Sequence, residues 1–262
     1  MRALQILYTV IALPIAVVAT VVFAVLAMVI ALFGRHGRLA LEAVRLWARI
    51  CLGIGGIILH VEGVEGIDLD QRYIVMSNHE SSVDIPALLA ALPPRLKVRF
   101  LAKKQLFKIP FLGWAMRAVG FVPVDRADRS TAAGMFRAAV NETQQGSSLL
   151  VFPEETRTRD GRLLELQRGG FLLALRSGFP ILPVGLEGAR VALPAKSWLL
   201  RPGTRVAVRF GGPIPTAGLA TAQRRQLTAT TRREIDRLRG LRGHIPDAER
   251  PEESAAAGSG SG

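Results

Sequence analysis

Seven residues carry the strongest chemical signal in the chain: Asn78-His79-Glu80-Ser81-Ser82-Val83-Asp84. They set a histidine and a carboxylate five positions apart. An imidazole held at one nitrogen by a carboxylate is free to take a proton at the other near neutral pH. An apolar run at 73–76 precedes the pair and another at 85–89 follows it, which predicts strand, sharp turn and helix. A histidine in such a turn stands at a strand's C-terminal end, where open α/β sheets place their ligands. The competing reading is a surface turn whose polar residues cap the next helix.

Three further clusters follow apolar runs in the same way. Lys103 and Lys104 come after Arg99-Phe100-Leu101-Ala102, and two ammonium groups there can bind a phosphate as point charges. Gly120-Phe121-Val122-Pro123-Val124-Asp125-Arg126 ends in a guanidinium whose planar fork suits phosphate or carboxylate. Phe152-Pro153-Glu154-Glu155-Thr156-Arg157 follows Leu149-Leu150-Val151. In it Glu154 can hold a hydroxyl or orient Arg157, and Arg157 can hold a phosphate. Each cluster alone also fits an ordinary charged surface turn. Together they fall at the ends of successive strands, and so on one sheet edge if those strands are parallel. The bracketed strand Pro180-Ile181-Leu182-Pro183 carries no chemistry of its own but can shape an apolar wall.

The elements that must position these clusters are strands near 57–62, 73–77, 98–102, 121–124, 149–152, 181–185 and 205–210. Helices are expected near 85–91, 111–119, 131–144, 169–176 and 221–239, the last rich in arginine. This alternation predicts an α/β fold: a mixed, largely parallel sheet of about seven strands flanked by helices.

The N-terminus is different in kind. No charged side chain occurs from Ala3 to Phe33. That exceeds the roughly 20 residues a helix needs to cross a bilayer, and the 7–15 of a signal peptide's apolar region. Pro14 could kink it, so spanning and re-entrant arrangements stay open. Arg35, His36, Arg38, Arg45 and Arg49 follow, which by the positive-inside rule puts the body of the protein on the cytoplasmic side. The Gly-rich stretch 50–59 fits either an interfacial segment or a buried helix leading into the first strand. The expected organisation is a hydrophobic helical membrane anchor at 1–56, a catalytic α/β domain at 57–245 and a disordered tail at 246–262.

Net charge is +13, which favours anionic partners such as lipid head groups or phosphorylated small molecules. Aromatic content is 6%, with no aromatic-rich basic strand to stack bases, so nucleic acid is not expected as a partner. The single cysteine, Cys51, excludes an intramolecular disulfide and a cysteine-rich zinc site. Ser81 and Ser82 lack a Gly-x-Ser-x-Gly elbow.

On these residues the chain resembles the glycerophospholipid acyltransferases, the 1-acylglycerol-3-phosphate (lysophosphatidate) acyltransferases in particular. Their Asn-His-x4-Asp motif is matched by Asn78, His79 and Asp84, and their Ala-Lys segment by Ala102 and Lys103. Gly120, Val122, Val124 and Arg126 match the second motif, with Pro123 where an aromatic is common. Phe152, Pro153, Glu154, Thr156 and Arg157 match the Phe-Pro-Glu-Gly-Thr-Arg motif, with Glu155 in place of its glycine. Pro180, Ile181 and Pro183 match the fourth.

The resemblance implies transfer of an acyl chain from acyl-CoA or acyl carrier protein to the sn-2 hydroxyl of lysophosphatidate, giving phosphatidate at a membrane surface. His79 would be the general base and Asp84 its partner. Asn78, Lys103, Lys104, Gly120, Arg126, Glu154, Thr156 and Arg157 would form the substrate-binding set. No metal or cofactor is implied beyond the thioester co-substrate. Glycerol-3-phosphate, a lysophospholipid or a lyso-aminolipid as acceptor, and lipid or thioester hydrolysis, remain alternatives. The implied location is the inner face of the plasma membrane.

Overall fold

The apolar runs become strands where their alternation with helices predicts them. The computed structural model describes residues 2–34, 38–124, 139–141 and 146–240. Its strands are β1 (Ile58–Glu62), β2 (Ile74–Ser77), β3 (Val98–Lys103), β4 (Val122–Val124), β5 (Ser148–Val151), β6 (Ile181–Glu187) and β7 (Arg205–Phe210). They form one sheet in the order β1-β7-β6-β2-β5-β3-β4. The five strands from β6 to β4 run parallel, so their C-terminal ends share one edge. β7 is antiparallel to β6, and β1 is parallel to β7. The mixed, largely parallel sheet of seven strands agrees with the sequence reading.

The helices are α1 (Arg2–Leu32), α2 (Arg38–Ile54), α3 (Asp84–Ala91), α4 (Leu112–Ala118), α5 (Arg168–Ser177), α6 (Ala189–Ala192) and α7 (Arg224–Arg239). Of the helix expected at 131–144, only residues 139–141 are among those described, and they are helical. The tail expected at 246–262 lies outside the described residues.

Both faces of the sheet are covered, as the all-apolar central strands require. Val75, Leu150, Leu182 and Val208 pack toward α2 and α3. Ile74, Met76, Leu149 and Ile181 point the other way, onto Phe171 of α5 and Ile235 of α7. Period-two alternation within each strand sorts these two sets.

α1 is one continuous helix through Pro14. A narrow stripe of it is seated on the domain. Thr9 is fully buried and its Oγ1 accepts the Leu200 N–H (3.1 Å). The Tyr8 hydroxyl donates to the Ile54 carbonyl (2.7 Å), and Trp47 Nε1 donates to Thr20 Oγ1 (3.1 Å). Ala24 and Ala27 continue the stripe, packing where α1 meets α2 and α4. Most of the rest of the helix is apolar and at least partly exposed, from Leu4 to Leu32. Among the described residues α1 is the one helix long and apolar enough to cross a membrane.

Arg45, one of the basic residues that follow the apolar run, does not face solvent. It is buried, and its guanidinium donates to Glu42 and to the carbonyls of Pro93, Pro94 and Leu96, pinning α2 to the turn before β3. The stretch 50–59 resolves as the end of α2, a glycine turn and the start of β1.

Candidate active site

The turn between β2 and α3 is folded by Asp84. Its Oδ2 accepts backbone N–H bonds from Glu80 (2.7 Å) and Ser81 (2.8 Å) and lies 2.8 Å from His79 Nδ1. A carboxylate accepts only, so Nδ1 donates to it, and in the neutral imidazole Nε2 is then the acceptor nitrogen. Asp84 is fully buried, whereas the His79 side chain is 17% exposed. The spacing of five is thus what lets one carboxylate oxygen close the turn and hold the ring together. The ring lies flat on Phe152, with centroids 4.1 Å apart and planes 17° from parallel.

The loop after β5 then fixes the histidine's main chain. Glu154 Oε1 accepts the His79 N–H (2.6 Å) and Oε2 accepts the Leu164 N–H (2.7 Å). The Thr158 N–H donates to the His79 carbonyl (2.9 Å). Burial pushes the Glu154 pKa up, and the two backbone N–H bonds oppose that shift. Asn78 mimics a backbone unit. Its Oδ1 accepts the Leu186 N–H (2.7 Å) and its Nδ2 donates to the Leu186 carbonyl (3.0 Å) and to Glu80 (3.3 Å).

These contacts revise part of the substrate-binding set. Asn78 and Glu154 are buried, with every side-chain polar atom engaged by the protein, so they position His79 instead of facing a ligand. Gly120 is a turn residue: at φ 81° it closes α4, its N–H donating to the Arg117 carbonyl (3.1 Å). Lys103, Lys104, Thr156 and Arg157 are exposed on the same sheet edge as His79. Arg157 Nη1 donates to Ser82 Oγ (2.7 Å), which ties it to the histidine turn. Arg126 lies outside the described residues. Lys103 pairs with Val124 in the β3–β4 register.

Glu155 occupies the turn at φ 58°, and its N–H donates to the Phe152 carbonyl (3.0 Å). This left-handed backbone favours glycine, so the sequence departure is also a backbone cost.

Two features escaped the sequence reading. Glu80, inside the seven opening residues, is buried, and its Oε1 lies 2.6 Å from Arg239 Nη2 in α7. Its charge beside a buried run was the available signal, but its partner is 159 residues away. The second is an apolar cavity of about 340 Å³. Phe23 and Ala27 of α1, Trp47 of α2, Leu89 of α3 and Met116 of α4 line it, with Ser82 of the histidine turn at its wall. No single stretch of sequence contains it. Among the described residues no group of His, Cys, Asp and Glu side chains is placed to hold a metal.

The acyltransferase family model matches residues 58–187. A chloroplastic 1-acyl-sn-glycerol-3-phosphate acyltransferase of Brassica napus is 32% identical over 154 residues, 58% of this chain and 44% of the relative. The 1-acyl-sn-glycerol-3-phosphate acyltransferase of Pseudomonas aeruginosa is 30% identical over 166 residues, 62% of this chain and 63% of the relative. The chain thus spans less than two thirds of the length of these curated relatives. The crystal structure of the 1-acyl-sn-glycerophosphate acyltransferase PlsC from Thermotoga maritima superposes with a TM-score of 0.75 at 28% identity, covering 91% of this chain and 98% of that one. With that match and that shared fold, residues 58–187 of the chain form a domain of the acyltransferase family.

Proposed function

We propose that the protein transfers an acyl chain from the thioester of acyl-CoA or acyl carrier protein to the sn-2 hydroxyl of 1-acylglycerol-3-phosphate. The carrying observation is the His79 imidazole, held at Nδ1 by Asp84 and next to the wall of an apolar cavity. The names of the relatives from Brassica napus and Pseudomonas aeruginosa support this acceptor.

The acceptor hydroxyl gives its proton to His79 Nε2 as its oxygen attacks the thioester carbon. Asp84 stabilises the imidazolium that forms. The tetrahedral oxyanion then collapses, the C–S bond breaks, and the leaving thiolate takes the proton back from the imidazolium. Arg157 and Lys103, with Arg126 by its motif and Lys104 beside them, bind the acceptor's phosphate. An acyl chain fills the cavity. Neither Ser81 nor Ser82 is set up as a nucleophile: the Ser81 hydroxyl donates to the Leu193 carbonyl (2.7 Å), and Ser82 receives Arg157.

Residues 1–56 hold the domain to the membrane. α1 does so lying in the interface plane, since Thr9 accepts the Leu200 N–H near one end and the helix packs on α4 farther along, while Tyr8 and Thr20 tie it to α2. A helix so attached cannot cross the bilayer without drawing the domain in with it. The basic excess then faces anionic head groups on the cytoplasmic side.

The test is a product assay with lysophosphatidate and acyl-CoAs of graded length. Phosphatidate as product supports the reading, and free fatty acid in its place turns it to a hydrolase. Glu155, a carboxylate close to Arg157, favours one second reading, an acceptor with less negative charge. An acceptor panel separates the two.

A further inference from the structure

We propose that α7, which lies outside the matched domain at 58–187, is a positioning strap of the active site, with Arg232 and Arg239 as its two points of attachment. The proposal rests on the reading of His79 and Asp84 as the proton-transfer pair.

Two hydrogen-bonded chains run from this helix to the two sides of His79. Arg232 donates to the carbonyls of Leu163 and Leu164 (2.7 Å each). The Leu164 N–H donates to Glu154 Oε2, and Glu154 Oε1 accepts the His79 N–H. Arg239 Nη2 donates to Glu80 Oε1 (2.6 Å) and to the Gly161 carbonyl. The Glu80 N–H donates to Asp84 Oδ2, the oxygen that holds the ring. One arginine thus reaches the histidine's main chain and the other its carboxylate, each through one buried glutamate. The arginines are seven positions apart, about two helical turns, which puts both on one face of α7.

The sheet is built to admit the helix at this spot. A Cβ on Gly185 of β6 would stand 2.5 Å from Leu238 Cβ, and one on Gly211 would stand 2.8 Å from Glu234 Oε1. The glycines let the last turn of α7 close onto the sheet edge from which Asn78 grips Leu186. Arg239 is only 13% exposed, and its Nη1 is directed by Asp236 (3.2 Å). A surface ion pair would contribute little, but this one is buried against the catalytic turn.

The test measures kcat and KM for both substrates, the pH dependence of kcat/KM and the melting temperature of the full-length enzyme. The variants are Arg239→Gln, Arg239→Lys, Arg232→Gln and the exposed control Arg233→Gln. Loosening Asp84 should alter the pH profile together with kcat. For Arg239→Gln the expectation is a kcat lower by roughly 10- to 100-fold with KM changed less than about twofold, the scale of a misplaced catalytic group. Arg239→Lys keeps the charge but loses the fork; it should fold and still lose kcat. Glu80→Gln combined with Arg239→Gln should recover part of the loss, because neither buried charge is then stranded. Arg233→Gln should behave as the parent.

A folded Arg239→Gln or Arg239→Lys with parental kcat and an unmoved pH profile overturns the strap. So does a loss that merely tracks the unfolded fraction. His79→Ala separates the two readings. If it stays active, the proton-transfer assignment fails; if it is inactive while both arginine variants are normal, only the strap fails.

Discussion

The polar edge around His79 and the apolar cavity beneath α1 and α4 share a wall, yet they are specified by opposite means. At the edge directional bonds fix the key atoms: Asp84 Oδ2 accepts from three donors and Glu154 from two, while the His79 N–H donates to Glu154 and its carbonyl accepts from Thr158. In the cavity the walls are Phe, Leu, Ala and Met side chains, and what is set is volume. Directional bonds locate a single atom to a fraction of an ångström, as proton transfer needs. Apolar walls admit any chain that fits and grade it by size. Changes at the edge should therefore act in decades on every substrate, and changes in the cavity by small factors that depend on chain length.

The largest effect belongs to the pair itself. His79→Ala and Asp84→Asn should each lower kcat on the order of 10²–10⁴-fold, equally for short and long acyl-CoAs, in steady-state assays of purified protein. A loss confined to one chain length would break the contrast. Next comes Glu154→Gln. The amide offers one acceptor oxygen where two buried N–H groups need one each, a cost of about 1–3 kcal/mol in denaturant unfolding. Wild-type stability would show that the bracket is not what holds His79.

The cavity gives smaller, graded numbers. Ala115 lies in its wall, so Ala115→Leu should shift preference to shorter acyl chains. The slope should be about fourfold in kcat/KM per excluded methylene, from ~0.8 kcal/mol of apolar transfer each. A uniform loss across chain lengths would place Ala115 outside the acyl path. The smallest effect is Glu155→Gly. Relief of the left-handed backbone should stabilise the fold by about 0.5–1 kcal/mol, or a few degrees in Tm. Removing the carboxylate should also lower KM for lysophosphatidate, and an unchanged KM would separate Glu155 from the phosphate region.

The two regions also differ in how far the sequence exposes them. Strand positions were legible because each strand is a short apolar run bounded by turns, and the His79–Asp84 pair because five residues of one turn contain it. The single edge followed from alternation, since parallel strands joined by helices send their C-termini the same way. The reversed direction of β1 and β7 leaves no such mark. The cavity draws on α1 through α4, which are apolar for other reasons as well.

The sheet, the His79–Asp84 spacing and the basic character of the edge could all be read from the residues alone, because each is encoded in local periodicity or spacing. Only the tertiary structure decided that Asn78 and Glu154 are brackets for His79, that Arg45 is a buried clamp and that α1 lies along the domain. It also decided that Glu80 meets Arg239 across 159 residues. A buried polar side chain must find a partner, but which one it finds is set by what the packed chain brings within about 3 Å, and no neighbour in sequence records that.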